Sequence, residues 1–234
     1  MTTLIDSMVE RAKADKKTIV LPEGHDDRIL AAAEETLKQG IANLVILGDA
    51  EEINAKGYNL EGAEIINPAT SDKVDEFASL LFELRKKKGM TEEEARELVT
   101  KDNIYFATMM VKTGQCDGLV GGASCATVKI LSPALKVLKT APGAPMVSSL
   151  FLMEVPNCDL GENGVFAFAD CALEIQPTAE KLAHIANLTN QSFKRLLGKE
   201  ARIALLSHSS HGSAKNDDAQ KVVDAMTYIK ENYP

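Results

Sequence analysis

Apolar positions in the first seventy residues alternate between two rhythms. KKTIVLPE (16–23) is a short β-branched run, and GHDDRILAAAEETLKQG (24–40) spaces its apolar residues helically and stops at a glycine suited to a helix C-cap. NLVILGD repeats the strand signal and AEEINAKG the helix signal, and AEIINP gives a third strand closed by Pro68. Alternating β and α units imply a parallel sheet covered by helices. From Ser71 to Thr113 the pattern is mainly helical, interrupted only by turns.

CDGLVGGASCATVKILSPALKVLKTAPG then offers another strand, a Gly-Gly turn and a helix ending near Pro142-Gly143. That Pro-Gly pair marks the expected boundary between a first domain, 1–142, and a second, 143–234. Beyond it, APMVSSLFLMEVP and GVFAFADCAL read as two antiparallel strands joined by the Gly/Asn-containing NCDLGENG. PTAEKLAHIANLTNQSFKRLLG reads as a helix, ARIALLSH as a strand and SAKNDDAQKVVDAMTYIKENY as a final helix. The expected class is α/β.

Composition narrows the function classes. An apolar share of 45% with 26% charged residues is ordinary for a folded globular chain. The formal net charge is −8, so no general basic field exists to attract nucleic acid or an anionic membrane, and any anionic ligand must be caught locally. The longest apolar stretches, such as Met146 to Met153, fall far short of the roughly 20 residues a membrane span needs, and the N-terminus lacks a signal-peptide core. A cytoplasmic location is expected. The four cysteines form no CxxC pair and no zinc spacing, which fits free thiols in a reducing compartment. Cys125, after the Gly-Gly turn, is a candidate nucleophile without a partnered base in view.

In an open α/β sheet, ligands bind beyond the carboxyl ends of strands, where loops lead into helix N-termini whose free N–H groups attract anions. Two segments meet that test. In GLVGGASCAT, Gly121 and Gly122 allow close backbone approach, and Ser124 and Thr127 add hydroxyls. In LLSHSSHGSAK, the strand would deliver Ser207, Ser209 and Ser210, Gly212 permits a tight turn, and Ser213 can cap the next helix. An ordinary strand-to-helix turn has the same composition. No GxxxxGK[ST] or GxGxxG occurs, so the standard nucleotide fingerprints are absent.

Three smaller features remain. RKKKG (85–89) is either a phosphate grip or a solvated basic helix end stabilised by the dipole. His184 sits in an amphipathic helix and reads as packing, whereas His208 and His211 flank the serine loop and are candidates for acid/base work or anion contact. Asp26 and Asp27, next to Glu23, fit helix capping; Asp170 ends an apolar strand and would need a partner for a partly buried charge.

The runs TIVLPEGHDDRILAAAE, FELRKKKGMT, IYFATMMVKTGQCDGLVGGA, FAFADCALEIQPTAEKLA and LLSHSSHGSAKNDD, in that order along the whole chain, closely resemble the phosphate acetyl/butyryl transferase family. The resemblance implies two α/β/α domains with mainly parallel sheets and an interdomain cleft, and a homodimer. It also implies acyl transfer between coenzyme A and inorganic phosphate, with acetyl-CoA, CoA and acetyl phosphate as the other ligands. Coenzyme A is a substrate, and no redox or metal cofactor is implied. Arg85 matches a family arginine that binds CoA, and Ser207, Ser209, Gly212 and Ser213 match the family's Ser-x-Ser-x-x-Gly-Ser run at the phosphate loop. Ser132 stands where the family commonly carries an active-site arginine; Lys129, three residues earlier, is the expected partial replacement. The family's Ser-Arg pair and catalytic aspartate belong to a segment that would follow Pro234, so no catalytic residue is assigned within 1–234. Two alternatives stay open: a butyryl rather than an acetyl donor, and a non-catalytic acyl-CoA-binding module of the same family.

Overall fold

The computed structural model describes residues 4–210 and 212–233. The chain divides into two compact units, Met1–Lys139 and Thr140–Pro234. His211 lies outside the described residues, so the expectation placed on it has no structural counterpart.

In the first unit, α1 (Leu4–Ala14) leads to β1 (Thr18–Leu21), α2 (Asp27–Gln39), β2 (Asn43–Leu47), α3 (Ala50–Ala55) and β3 (Glu64–Ile66). Next come α4 (Val74–Arg85), α5 (Glu92–Lys101), α6 (Asn103–Lys112), the two-residue β4 (Gly118–Leu119) and α7 (Thr127–Pro133). The strands form one parallel sheet in the order β3-β2-β1-β4, with Val20 opposite Val45 and Leu119, and Val45 opposite Glu64. Side chains of a strand alternate between faces, and β2 is apolar on both. Leu44 and Ile46 join Leu30 and Ile53, from α2 and α3, in one core, while Val45 and Leu47 join Phe77, Leu81, Phe106 and Met109, from α4 and α6, in the other. A sheet buried on both faces accounts for the continuous run NLVIL in place of a polar alternation. Phe77 and Phe106 meet edge to face at 5.0 Å between ring centroids.

The helix ends follow the sequence signals. Asp26 caps α2 and Gly40 closes it with φ of 70°, while Asp49, Asp102 and the Thr91–Glu94 capping box start α3, α6 and α5. After α7 the chain makes a π-helical turn, Ala134–Leu138, in which the amide of Lys139 donates to the carbonyl of Ala134 at 3.0 Å. Pro133 explains the change: it has no N–H to continue the α ladder, and the next amide, Ala134, is shared between the carbonyls of Ile130 and Leu131.

In the second unit, β5 (Leu150–Glu154) and β6 (Val165–Ala169) form an antiparallel ribbon, and α8 (Ala179–Leu197) and α9 (Asp217–Asn232) pack together. The expected strand ARIALLSH is corrected here: among the described residues, 201–207 form no strand. Strand rhythm alone does not make a strand; a ladder partner is needed, and this segment pairs with neither β5 nor β6. Its apolar side chains stay open, Ile203 at 47% and Leu206 at 81% exposure. Ile203 and Leu205 instead border a cavity of about 500 Å³ with Phe166, Ala167, Ile185 and Phe193.

Candidate functional site

Arg85, the last residue of α4, borders a cavity of about 510 Å³ together with Lys88, Leu98, Tyr105 and Lys136. The Nε of Arg85 is buried and has no hydrogen-bond partner among the described residues. A buried guanidinium donor left unpaired is costly, of order 1–3 kcal/mol, and marks a place for an acceptor that the described residues do not supply. The basic residues beside it behave differently from one another: Lys86 is bound to Glu83 at 2.5 Å, whereas Lys88 and Lys136 border the cavity. Ser132, on α7, is not among the residues that border it, and Lys129 lies 4.0 Å from Asp102. The expected replacement of the missing arginine by Lys129 therefore gains no support from this geometry.

The strand order places a topological switch between β1 and β4, since β2 and β3 extend from one side of β1 and β4 from the other. The loops leaving those two strands meet there. Glu23 follows β1 and is only 3% exposed. Its Oε2 accepts from the amides of Gly122 and Ala123 at 2.6 and 2.9 Å, and its Oε1 from the amide and hydroxyl of Ser124 at 2.8 and 2.7 Å. Burial opposes ionisation of this carboxyl, but the Ser124 hydroxyl and the three amides outweigh it and hold its pKa at about 2. The anion cradle expected at Gly121 and Gly122 is therefore not open at Gly122: the loop is a cradle, and the anion held by Gly122, Ala123 and Ser124 is Glu23. Gly121 has a packing reason, because a Cβ there would sit 2.9 Å from Pro22. Gly122, at φ of 107°, has a backbone reason.

Two further contacts tie the same loops. His25 Nε2 lies 3.1 Å from the Ser124 hydroxyl, and Arg28, bound to Asp26, donates to the carbonyl of Ala123 at 2.5 Å. The Arg28 guanidinium holds the Asp26 carboxyl at about 2. Burial and the neighbouring Glu23 carboxylate push the Cys125 thiol up, the reverse of what a nucleophilic thiolate needs, so that candidate is set aside.

In the second unit, Asp170 has the partners its position demanded. Oδ2 accepts from the Ser148 hydroxyl and Ser149 amide, and Oδ1 from the Ser149 hydroxyl and the amides of Ala172 and Leu173, at 2.6–3.0 Å. Burial opposes ionisation here too, and the Ser149 hydroxyl with the amides of Leu173, Ser149 and Ala172 holds the carboxyl well below the usual range. The serine loop is partly self-bonded: Ser209 N–H donates to Ser207 Oγ, Ser210 N–H to Ser213 Oγ, and Ala214 N–H to Ser209 Oγ, each at 3.1 Å. The helix after it is capped by Asn216, whose side chain accepts from the amide of Ala219, which corrects the cap expected at Ser213. Gly212, at φ of 78°, makes the turn, and His208 lies 3.1 Å from the Asn216 amide. His184 packs edge to face on Tyr228 and Tyr233, as its helical position implied.

The model of the family described as phosphate acetyl/butaryl transferase matches residues 3–234. The chain belongs to that family. A phosphate acetyltransferase from Thermoanaerobacterium thermosaccharolyticum is 53% identical over 99% of this chain and 71% of its own length, and one from Acetivibrio thermocellus is 47% identical over 99% and 70%. Among solved structures, a phosphotransacetylase from Streptococcus pyogenes has a TM-score of 0.88 at 35% identity, covering 98% of this chain and 69% of its own. The EutD phosphotransacetylase from Staphylococcus aureus has a TM-score of 0.84 at 33% identity, covering 97% and 69%. The buried donor of Arg85 lies in the basic cluster that the residues offered as a phosphate grip and from which the resemblance singled out Arg85, whereas the Glu23 latch carried no such signal. Strand order would have revealed that latch, and strand order is not written in local periodicity.

Proposed function

We propose that this member of the phosphate acetyl/butaryl transferase family moves an acetyl group between coenzyme A and inorganic phosphate. The observation that carries the reading is the unpaired, buried Nε of Arg85 beside a cavity that Lys88 and Lys136 also border. Coenzyme A brings phosphate oxygens that can satisfy such a donor, and a planar guanidinium suits them. The serine loop, with Ser207, Ser209, Gly212 and Ser213, is the proposed contact for inorganic phosphate and acetyl phosphate. The hydroxyls of Ser209 and Ser213 accept from neighbouring amides and so keep their own protons free to donate, while that of Ser207 donates to the carbonyl of Ser209 at 3.4 Å. The base for the thiol and the Ser-Arg pair are proposed to come from the segment that the family resemblance puts after residue 234. A homodimer and a cytoplasmic location belong to the same reading; no described helix is long and apolar enough to cross a membrane.

The test is release of free thiol from acetyl-CoA on addition of phosphate, with acetyl phosphate as the second product. Release that requires phosphate supports the transferase. Ser132, in place of an active-site arginine, favours the second reading, a module that binds acyl-CoA without turnover. Tight acetyl-CoA binding with no thiol released would select that one. Butyryl-CoA run in parallel decides the acyl preference.

A further inference from the structure

The cavity beside Arg85 poses an electrostatic problem that Arg85 cannot solve alone. Arg85 is at the C-terminus of α4, where the helix dipole presents about half a negative charge to an incoming anion. Two carboxylates, Glu94 and Glu97, also border the cavity. Both are in use: Glu94 Oε2 accepts from the amide of Thr91 at 2.8 Å, and Glu97 is bound to Lys101 at 2.7 Å. A phosphorylated ligand held there needs cationic charge beyond that of Arg85.

Lys136 has the placement to supply it. The π turn that follows Pro133 buries Val137 completely in the core and leaves Lys136 exposed, on the side where the cavity opens. Its Nζ is 3.4 Å from the hydroxyl of Tyr105, a neutral contact that engages one of three ammonium protons and faces the same cavity. No carboxylate lies within ion-pair distance of Lys136 among the contacts of the described residues, in contrast to Lys86, Lys101 and Lys129. We propose that Lys136 is a second phosphate-binding residue of this cavity, gripping phosphate oxygens of coenzyme A together with Arg85. The proposal rests on the reading of the cavity as a coenzyme A site. Its shared chemistry, phosphate oxygen, has two sources in that ligand, the 3′-phosphate monoester and the diphosphate.

The experiment is titration calorimetry of the full chain with coenzyme A and with dephospho-coenzyme A, which lacks the 3′-phosphate. Lys136→Gln is expected to weaken coenzyme A binding about tenfold, the effect of losing one charged hydrogen bond at a partly solvated site. Lys136→Arg is expected to retain most of the affinity. Lys112→Gln, which removes the same charge from the other end of α6, is expected to leave it unchanged. Because Lys136 is exposed, a circular dichroism melt matching the parent chain verifies that the variant is folded. A penalty that vanishes with dephospho-coenzyme A assigns Lys136 to the monoester, and one that persists assigns it to the diphosphate; either supports the proposal. Parent-like affinity of folded Lys136→Gln would overturn it and leave the coenzyme A site intact. A parent chain that binds no coenzyme A would overturn the site itself.

Discussion

Glu23 and Arg85 are opposite answers to the same problem of burying a charge. Glu23 receives four hydrogen bonds from three consecutive residues, while one buried donor of Arg85 receives no acceptor from the described chain. Their substitutions are therefore expected to fail differently. Arg85→Ala should weaken coenzyme A binding by roughly 1–3 kcal/mol, measured by calorimetry, with little loss of folding stability. Glu23→Gln should destabilise the first unit by about 2–4 kcal/mol at neutral pH, because an amide group cannot accept from all four donors. The pH dependence has a definite sign. The folded carboxyl titrates near 2 and an unfolded one near 4.5, so the unfolded chain binds the extra proton between those values and stability rises with pH there. The contribution is complete above about pH 4.5 and lost as pH falls towards 2. Urea unfolding across that window should show a flatter acid dependence in Glu23→Gln than in the parent chain.

At the scale of elements, the sequence announces helices better than strands. The α2 helix lies inside its periodic window, with Asp26 and Gly40 at its ends, because caps and apolar spacing are local. ARIALLSH has an equally good strand rhythm and forms none, because a ladder requires a partner edge that local pattern does not encode. Hydrogen exchange should follow this difference: amides of 202–206 should exchange fast and those of Leu150–Glu154 and Val165–Ala169 slowly, as read by mass spectrometry. Asp170 belongs to this scale too, since it fastens the end of β6 to the start of β5 through Ser149, whose hydroxyl donates to Asp170 and accepts from the amide of Ala172. Ser149→Ala should lower the stability of the second unit by about 1–3 kcal/mol in thermal unfolding and raise exchange at Ala172 and Leu173.

For the molecule as a whole, a net charge of −8 sets the background against which an anionic coenzyme arrives. The long-range field repels such a ligand, and the basic border of the Arg85 cavity attracts it locally. Stopped-flow association of coenzyme A should therefore quicken as salt rises from about 10 to 100 mM, since screening weakens the overall repulsion first. A rate that falls over that range would show the local cations to dominate. Legibility at this scale was uneven. The parallel sheet and its two covering layers in the first unit were readable from β/α alternation, and the family from ordered motifs. What occupies the Gly121–Ser124 loop was not readable, because glycine and serine report that a backbone can cradle an anion and not where that anion comes from.

The Glu23 latch has a bearing on how oxyanions distribute over this protein. A crevice that carries its own counter-ion has no vacancy for sulfate or phosphate from the medium, however concentrated. Crystals grown from such salts should accordingly leave the β1–β4 switch unchanged and gather their anions against Arg85 and the serine loop, so the loop that looks most hospitable on paper becomes the one that stays closed to solutes.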